Sequence, residues 1–218
     1  MTKTITHLFD TYAEANQAVQ ALEHLGIAHD DISIVANNAD GSHSGVGGGT
    51  SANTGTDPGN VNDHGDVSRG TNTGALLGGA GGLLAGLGLL AIPGLGPVVA
   101  AGWLASTVAG AAIGGVGGAA TGGIVGALKN SGHTDEEAHV FSEVVRRGGS
   151  LVSARVSDGH VDQALAILTQ HNAVDTTARG TAYRADGWSK FDENAPAYTG
   201  EQVARERTMY GNKTTGEL

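Results

Sequence analysis

Cysteine is absent from the 218 residues, which removes disulfides, thiolate catalysis and cysteine-ligated metal from consideration. Aromatic side chains make up only 4% of the chain, so the large groups that usually fill a core are scarce. Positive charge is scarce as well: 12 Lys and Arg stand against 22 Asp and Glu, a formal net charge of −10. Without a basic stripe the chain has nothing to match a phosphate backbone, so nucleic acid is not an expected partner. Without a polybasic patch it has no simple electrostatic hold on anionic lipid. The N-terminal stretch turns polar at Thr6-His7 with no apolar run, so a secretory signal is not expected and the chain is placed on the cytoplasmic side.

Glycine, by contrast, is abundant: 37 residues. From residue 70 to residue 128 no side chain is charged, and small residues recur there every four positions. One run is Gly74, Gly78, Gly82 and Gly86; the other is Gly102, Ser106, Gly110, Gly114, Gly118, Gly122 and Gly126. On a helix this spacing lines one face with hydrogens, so that a second helix backbone can approach closely. Each glycine costs a free helix roughly 1 kcal/mol against alanine, a cost that only close packing or a bilayer offsets. Pro93, Gly94, Gly96 and Pro97 interrupt the pattern and predict a tight turn between helices over 74–90 and 98–128.

The flanks read as compact αβ units. Residues 1–37 predict strand, helix, strand, with Thr11 and Glu14 as a capping box and Gly26 as the stop. Residues 38–73, rich in Gly, Asn and Ser, predict a flexible linker. Residues 129–184 predict a helix opened by Thr134 and Glu137, a strand over 150–156, a helix capped by Asp158, and a closing strand over 176–183. Residues 185–218 form a polar tail with one short helix expected over 201–210. The segment Asn16–Leu22 resembles Asp162–Leu168, and both lie on the helix of a βαβ unit. Two such halves predict an α+β, ferredoxin-like sandwich: a four-stranded sheet covered on one face by two helices, split by the inserted glycine-zipper hairpin 74–128.

The segments Phe9-Asp10, Asp31–Ala36, Ala91–Pro97 and Arg146–Val152 together resemble the bacterial general stress protein 17M-like and low-temperature-induced proteins. The resemblance implies a stress-induced bacterial protein of a group without an established enzymatic activity, and so no catalytic residues to carry over.

Other candidate chemistry has simpler explanations. None of the nine histidines pairs at a metal-site spacing, and all are taken as surface groups. Gly79–Gly82 lies inside the uncharged run, not at a strand-to-helix turn, so no nucleotide site is expected. Asp135-Glu136-Glu137 suits the first turn of a helix, and Arg146-Arg147 the last. No enzyme, cofactor, metal or small-molecule substrate is therefore predicted. The zipper hairpin is expected to insert into the lipid bilayer at the inner membrane, with Trp103 near its interface, and to associate with second copies of the chain as a homo-oligomer. Alternatively, the hairpins pack on one another in a soluble oligomer or filament with no membrane contact.

Overall fold

A computed structural model describes residues 2–42, 88–107 and 123–210 of the chain. Strand β1 (Thr2–Phe9) leads into helix α1 (Tyr12–His24), and strand β2 (Ile32–Asn37) follows. The Thr11 hydroxyl accepts from the Glu14 N–H while the Glu14 carboxylate accepts from the Thr11 N–H, satisfying donors that a helix start leaves unpaired. Gly26, at φ +94°, takes the left-handed position after the helix.

The next described elements are β3 (Gly88–Ile92) and β4 (Gly96–Ala101), followed by a helical stretch at 103–107. Helices α2 (Gly123–Asn130) and α3 (Asp135–Arg146) precede β5 (Ser150–Ser157). The chain continues through α4 (Val161–Gln170), α5 (Thr176–Ala185) and α6 (Gly200–Tyr210). Thr134 and Glu137 form the second capping box, at the start of α3.

The chain is a mixed α/β protein built on a five-stranded antiparallel sheet of order β1-β5-β2-β4-β3. Side chains alternate across each strand, so the sheet has two apolar faces. Ile5, Phe9, Ile34 and Val152 pack under α1 and α4 with Leu22 and Leu168. Leu8, Val35, Val98 and Leu151 pack on the opposite face against Phe141, Val144 and Tyr183 from α3 and α5. Burying each such side chain is worth about 1.5–3 kcal/mol, and the two layers share one sheet.

Several expectations are corrected. Residues 88–101 are not the ends of two helices but a β-hairpin, with the expected turn at its tip. Val98 and Val99 are β-branched, and an uncharged strand suits a sheet with buried faces. The four-residue glycine spacing carries no such preference, so it over-read helix here. The closing strand expected over 176–183 is helix α5, because the Asp175 carboxylate accepts from the Thr177 and Ala178 N–H groups and starts a helix. Only Val174 reaches β1, donating its N–H to the Leu8 carbonyl at 2.8 Å. The sheet is covered on both faces rather than one, since the alternation in β1, β2 and β5 presents large apolar groups both ways. Helix α4 begins after a 3-10 turn at Asp158–His160, so its N-cap is His160 rather than Asp158.

Among the described residues no helix is long and apolar enough to cross a membrane. Most of the predicted linker, residues 43–73, lies outside the described residues.

Candidate functional site

The zipper positions are not assembled on one helix face among the described residues. Gly74, Gly78, Gly82, Gly86, Gly110, Gly114, Gly118 and Gly122 lie outside them. Gly102 follows β4 and is not helical; its φ is +82°. A methyl group there would come within 2.1 Å of the Ile32 carbonyl oxygen, so this glycine lets two backbones touch within the sheet. Ser106 is exposed in the 103–107 stretch, where its hydroxyl donates to the Trp103 carbonyl. Gly126 is half-buried within α2, a separate described helix.

The turn residues do come together, at a seat for the C-terminal segment. Pro93, Gly94 and Leu95 form the tip, and Leu95 is fully buried. Gly94 has φ +75°, and a methyl group on it would lie 2.7 Å from Glu193 Cα and 2.9 Å from the Phe191 ring. Gly96 meets Ala197 in the same way, at 2.7 Å. Pro97 lies on β4 opposite Ala91. Residues 186–199, expected to be a free polar tail, instead cross this turn and bury Phe191 against it. Arg146 fixes the crossing by donating to the Pro196 carbonyl at 3.1 Å while its guanidinium stacks 4.8 Å from the Tyr198 ring.

Helix α6 docks just beyond, over a cluster of arginines. Val203 is wholly buried and faces Gly148, where a Cβ would collide with it at 2.6 Å. Arg207 donates to the Gly148 carbonyl at 2.9 Å and pairs with Asp40 from beyond β2. Beneath α6, Glu143 is fully buried and receives Arg147 at 2.8 Å and Arg146 at 3.2 Å. Arg147 also lies 4.0 Å from the Tyr183 ring and 3.6 Å from the Glu206 carboxylate. Arg179 grips Asp10 with two hydrogen bonds, at 2.8 and 3.0 Å, and stacks 4.1 Å from the Tyr210 ring. A cleft lined by Asp10, Arg147, Arg179, Tyr183, Glu206 and Tyr210 remains between them, with free space close to that of one water molecule.

The electrostatics follow from this crowding. Burial raises the Tyr183 hydroxyl well above its usual range, and Arg179 pulls the other way. Burial also pushes the Arg147 and Arg179 guanidiniums toward losing charge, but the hydrogen bonds they donate to Glu143 and Asp10 more than compensate and both end higher. Glu206 stands apart. Burial holds its carboxyl above the ordinary value; Arg147 opposes the shift and Glu143 adds to it. Its Oε2 is buried with no hydrogen-bond partner among the described residues. A carboxyl raised by folding contributes stability below its ordinary value and loses it as pH rises through the folded one. Glu206→Gln is therefore expected to hold α6 more firmly, with an advantage over the parent chain that grows as pH rises toward about 8 and vanishes near about pH 4. Urea unfolding across that range measures it, and a pH-independent difference would refute it. Asp40 works in the opposite sense: burial would raise it, but hydrogen bonds from Ser42 and the Arg207 guanidinium leave it below its usual range.

Two histidines differ from the expected surface groups. His133 shares a 2.7 Å hydrogen bond with the Thr6 hydroxyl and packs edge-on to Phe141 at 5.2 Å. Burial lowers both His133 and His7, so each favours the neutral ring. Among the described residues there is no group of three or more His, Cys, Asp or Glu placed to hold a metal.

Sequence reasoning placed the turn but missed the arginine cluster. Its members are spread from Asp10 to Tyr210, and apart from Glu143 with Arg146 and Arg147 on one helix they show no local spacing. The one signal was Arg146-Arg147 beside Gly148-Gly149, read as offsetting the helix dipole or meeting a lipid headgroup surface. No protein-family model, no curated protein and no solved structure matches the chain.

Proposed function

We propose that the chain is a non-enzymatic general-stress protein of the low-temperature-induced kind, and that its uncharged glycine-rich segment builds a self-associated assembly. The observation that carries this reading is the β3–β4 hairpin. The middle of the uncharged segment is woven into the domain's own sheet and clamped at its tip by the C-terminal segment. Residues 88–101 of the segment are thereby part of the domain rather than joined to it by a loose tether. Leu89 and Leu90, the end of the most leucine-rich stretch, sit in a strand, which favours assembly over bilayer insertion.

The strand order also supports a ferredoxin-like ancestry. β1, β5 and β2 stand in the order of such a sandwich, Val174 beside β1 marks a fourth strand shrunk to one bridge, and the β3–β4 hairpin extends the opposite edge. The arginine cluster supports a structural role: its guanidiniums face carboxylates and rings of the same chain, and its cleft holds no substrate-sized space.

Sedimentation velocity of the full chain tests the reading. A discrete oligomer in the high-speed supernatant is expected, and Gly114→Leu with Gly118→Leu should lower its mass. A monomer would overturn the proposal, and so would carbonate-resistant pelleting with membranes.

A further inference from the structure

Strand β3 ends the sheet, and among the described residues its outer edge has none of the usual protections. Edge strands are normally blunted by lysine, proline, bulges or a covering element. β3 reads Gly-Leu-Leu-Ala-Ile, without a charge or a proline, and Leu89 is 64% exposed. Among the described residues no strand pairs with its outer side.

The backbone directions follow from Pro97. It has no N–H, and its carbonyl accepts from Asn38 on the β2 side at 2.9 Å. Pro97 and Val99 thus bond toward β2, and their partners across the hairpin, Ala91 and Leu89, direct their own N–H and C=O groups out of the sheet. The edge therefore offers two donors and two acceptors, on Leu89 and Ala91.

We infer that β3 pairs with β3 of a second copy across a two-fold axis at Leu90, joining two sheets into one continuous antiparallel sheet. This rests on the reading that the chain self-associates. Antiparallel pairing centred on Leu90 sets Leu89 against the partner's Ala91 and Ala91 against the partner's Leu89. That register satisfies every outward group of both strands, and a two-fold interface must be self-complementary in this way. Charge singles out a second copy as the occupant. Two chains of net charge −10 repel each other, and the uncharged stretch from residue 70 to residue 128 that contains β3 is where their surfaces meet with least repulsion. The contact also covers Leu89 on one face of the sheet, beside Val99 of its own chain.

Cross-linking tests the register, and the absence of native cysteine makes it clean. Leu90 would face its copy as a non-hydrogen-bonded pair with Cα atoms about 4.5 Å apart, within disulfide reach. Leu89 would lie diagonal to its copy at about 7–8 Å, beyond it. Mild oxidation of Leu90→Cys should give a covalent dimer, and Leu89→Cys should not. Leu89→Lys with Ala91→Lys alters only exposed side chains and should halve the particle mass by sedimentation. A parent chain that is monomeric would refute self-association and this pairing together. An oligomeric parent with no Leu90→Cys dimer and unchanged mass for the lysine pair would refute the edge pairing alone.

Discussion

Gly102→Ala is expected to destabilise the protein by roughly 3–5 kcal/mol, enough to leave a domain of ordinary stability largely unfolded. Two costs add. Alanine at φ +82° is strained by about 1–3 kcal/mol. Its Cβ would also lie 2.1 Å from the Ile32 carbonyl oxygen and 2.8 Å from Ser33 Cα. Both contacts are backbone, so relief requires moving β4 away from β2. The Ser33 hydroxyl bridges this junction, donating to the Ala101 carbonyl at 2.7 Å and accepting from the Leu104 N–H at 3.2 Å, so those bonds fail with it. The sign is what makes the experiment decisive. Were Gly102 a helical zipper position, alanine would favour the helix by about 1 kcal/mol. Urea midpoints of the two chains decide the matter, and a midpoint at or above that of the parent would refute the junction.

Asp10→Ala is the second large effect, expected at about 3–4 kcal/mol. Asp10 follows β1, and its carboxylate accepts both hydrogen bonds from the nearly buried Arg179 of α5. Removing it takes away the bidentate partner of a guanidinium that otherwise lies against the Tyr210 and Tyr183 rings, at 4.1 and 6.0 Å. Replacing both partners is a different matter, since an apolar pair carries no unpaired charge. Asp10→Ala with Arg179→Met is expected to recover more than half of the loss, as measured by urea unfolding. A double variant no more stable than Asp10→Ala would mean that Arg179 is held by something other than its ion pair.

These two positions show how unequally the structure was legible in the sequence. Phe9, Thr11, Glu14 and Gly26 each act within a few residues of themselves, and the strand, cap and stop they predicted are present as expected. Thr134, Glu137 and the strand from Ser150 behave in the same way. At Gly102 the zipper spacing misled, because spacing alone does not say what a glycine is for. There, as at the turn residue Gly94, the missing side chain admits a backbone from a distant part of the chain, whereas a helix face would have asked for the same residue. Thr176–Tyr183 has enough β-forming character for a strand, but Asp175 caps a helix there and Arg179 and Tyr183 then reach the cluster. The C-terminal helix was visible as a helix, yet its seat was not. Val203 needs Gly148, and Arg207 needs Asp40, partners that lie far away in sequence.

The sequence by itself determined the capped helices and the strands beside them, the acidic charge, the absence of thiol chemistry, and the uncharged segment with its turn. Those properties follow from composition and from interactions within one or two helical turns. Tertiary structure alone decided that part of this segment is sheet, that both faces of the sheet are covered, and that the C-terminal residues clamp the hairpin and close over buried arginines. The reason is physical. A glycine, a lone valine or an arginine takes its role from the group it meets, and here that group comes from a distant part of the chain.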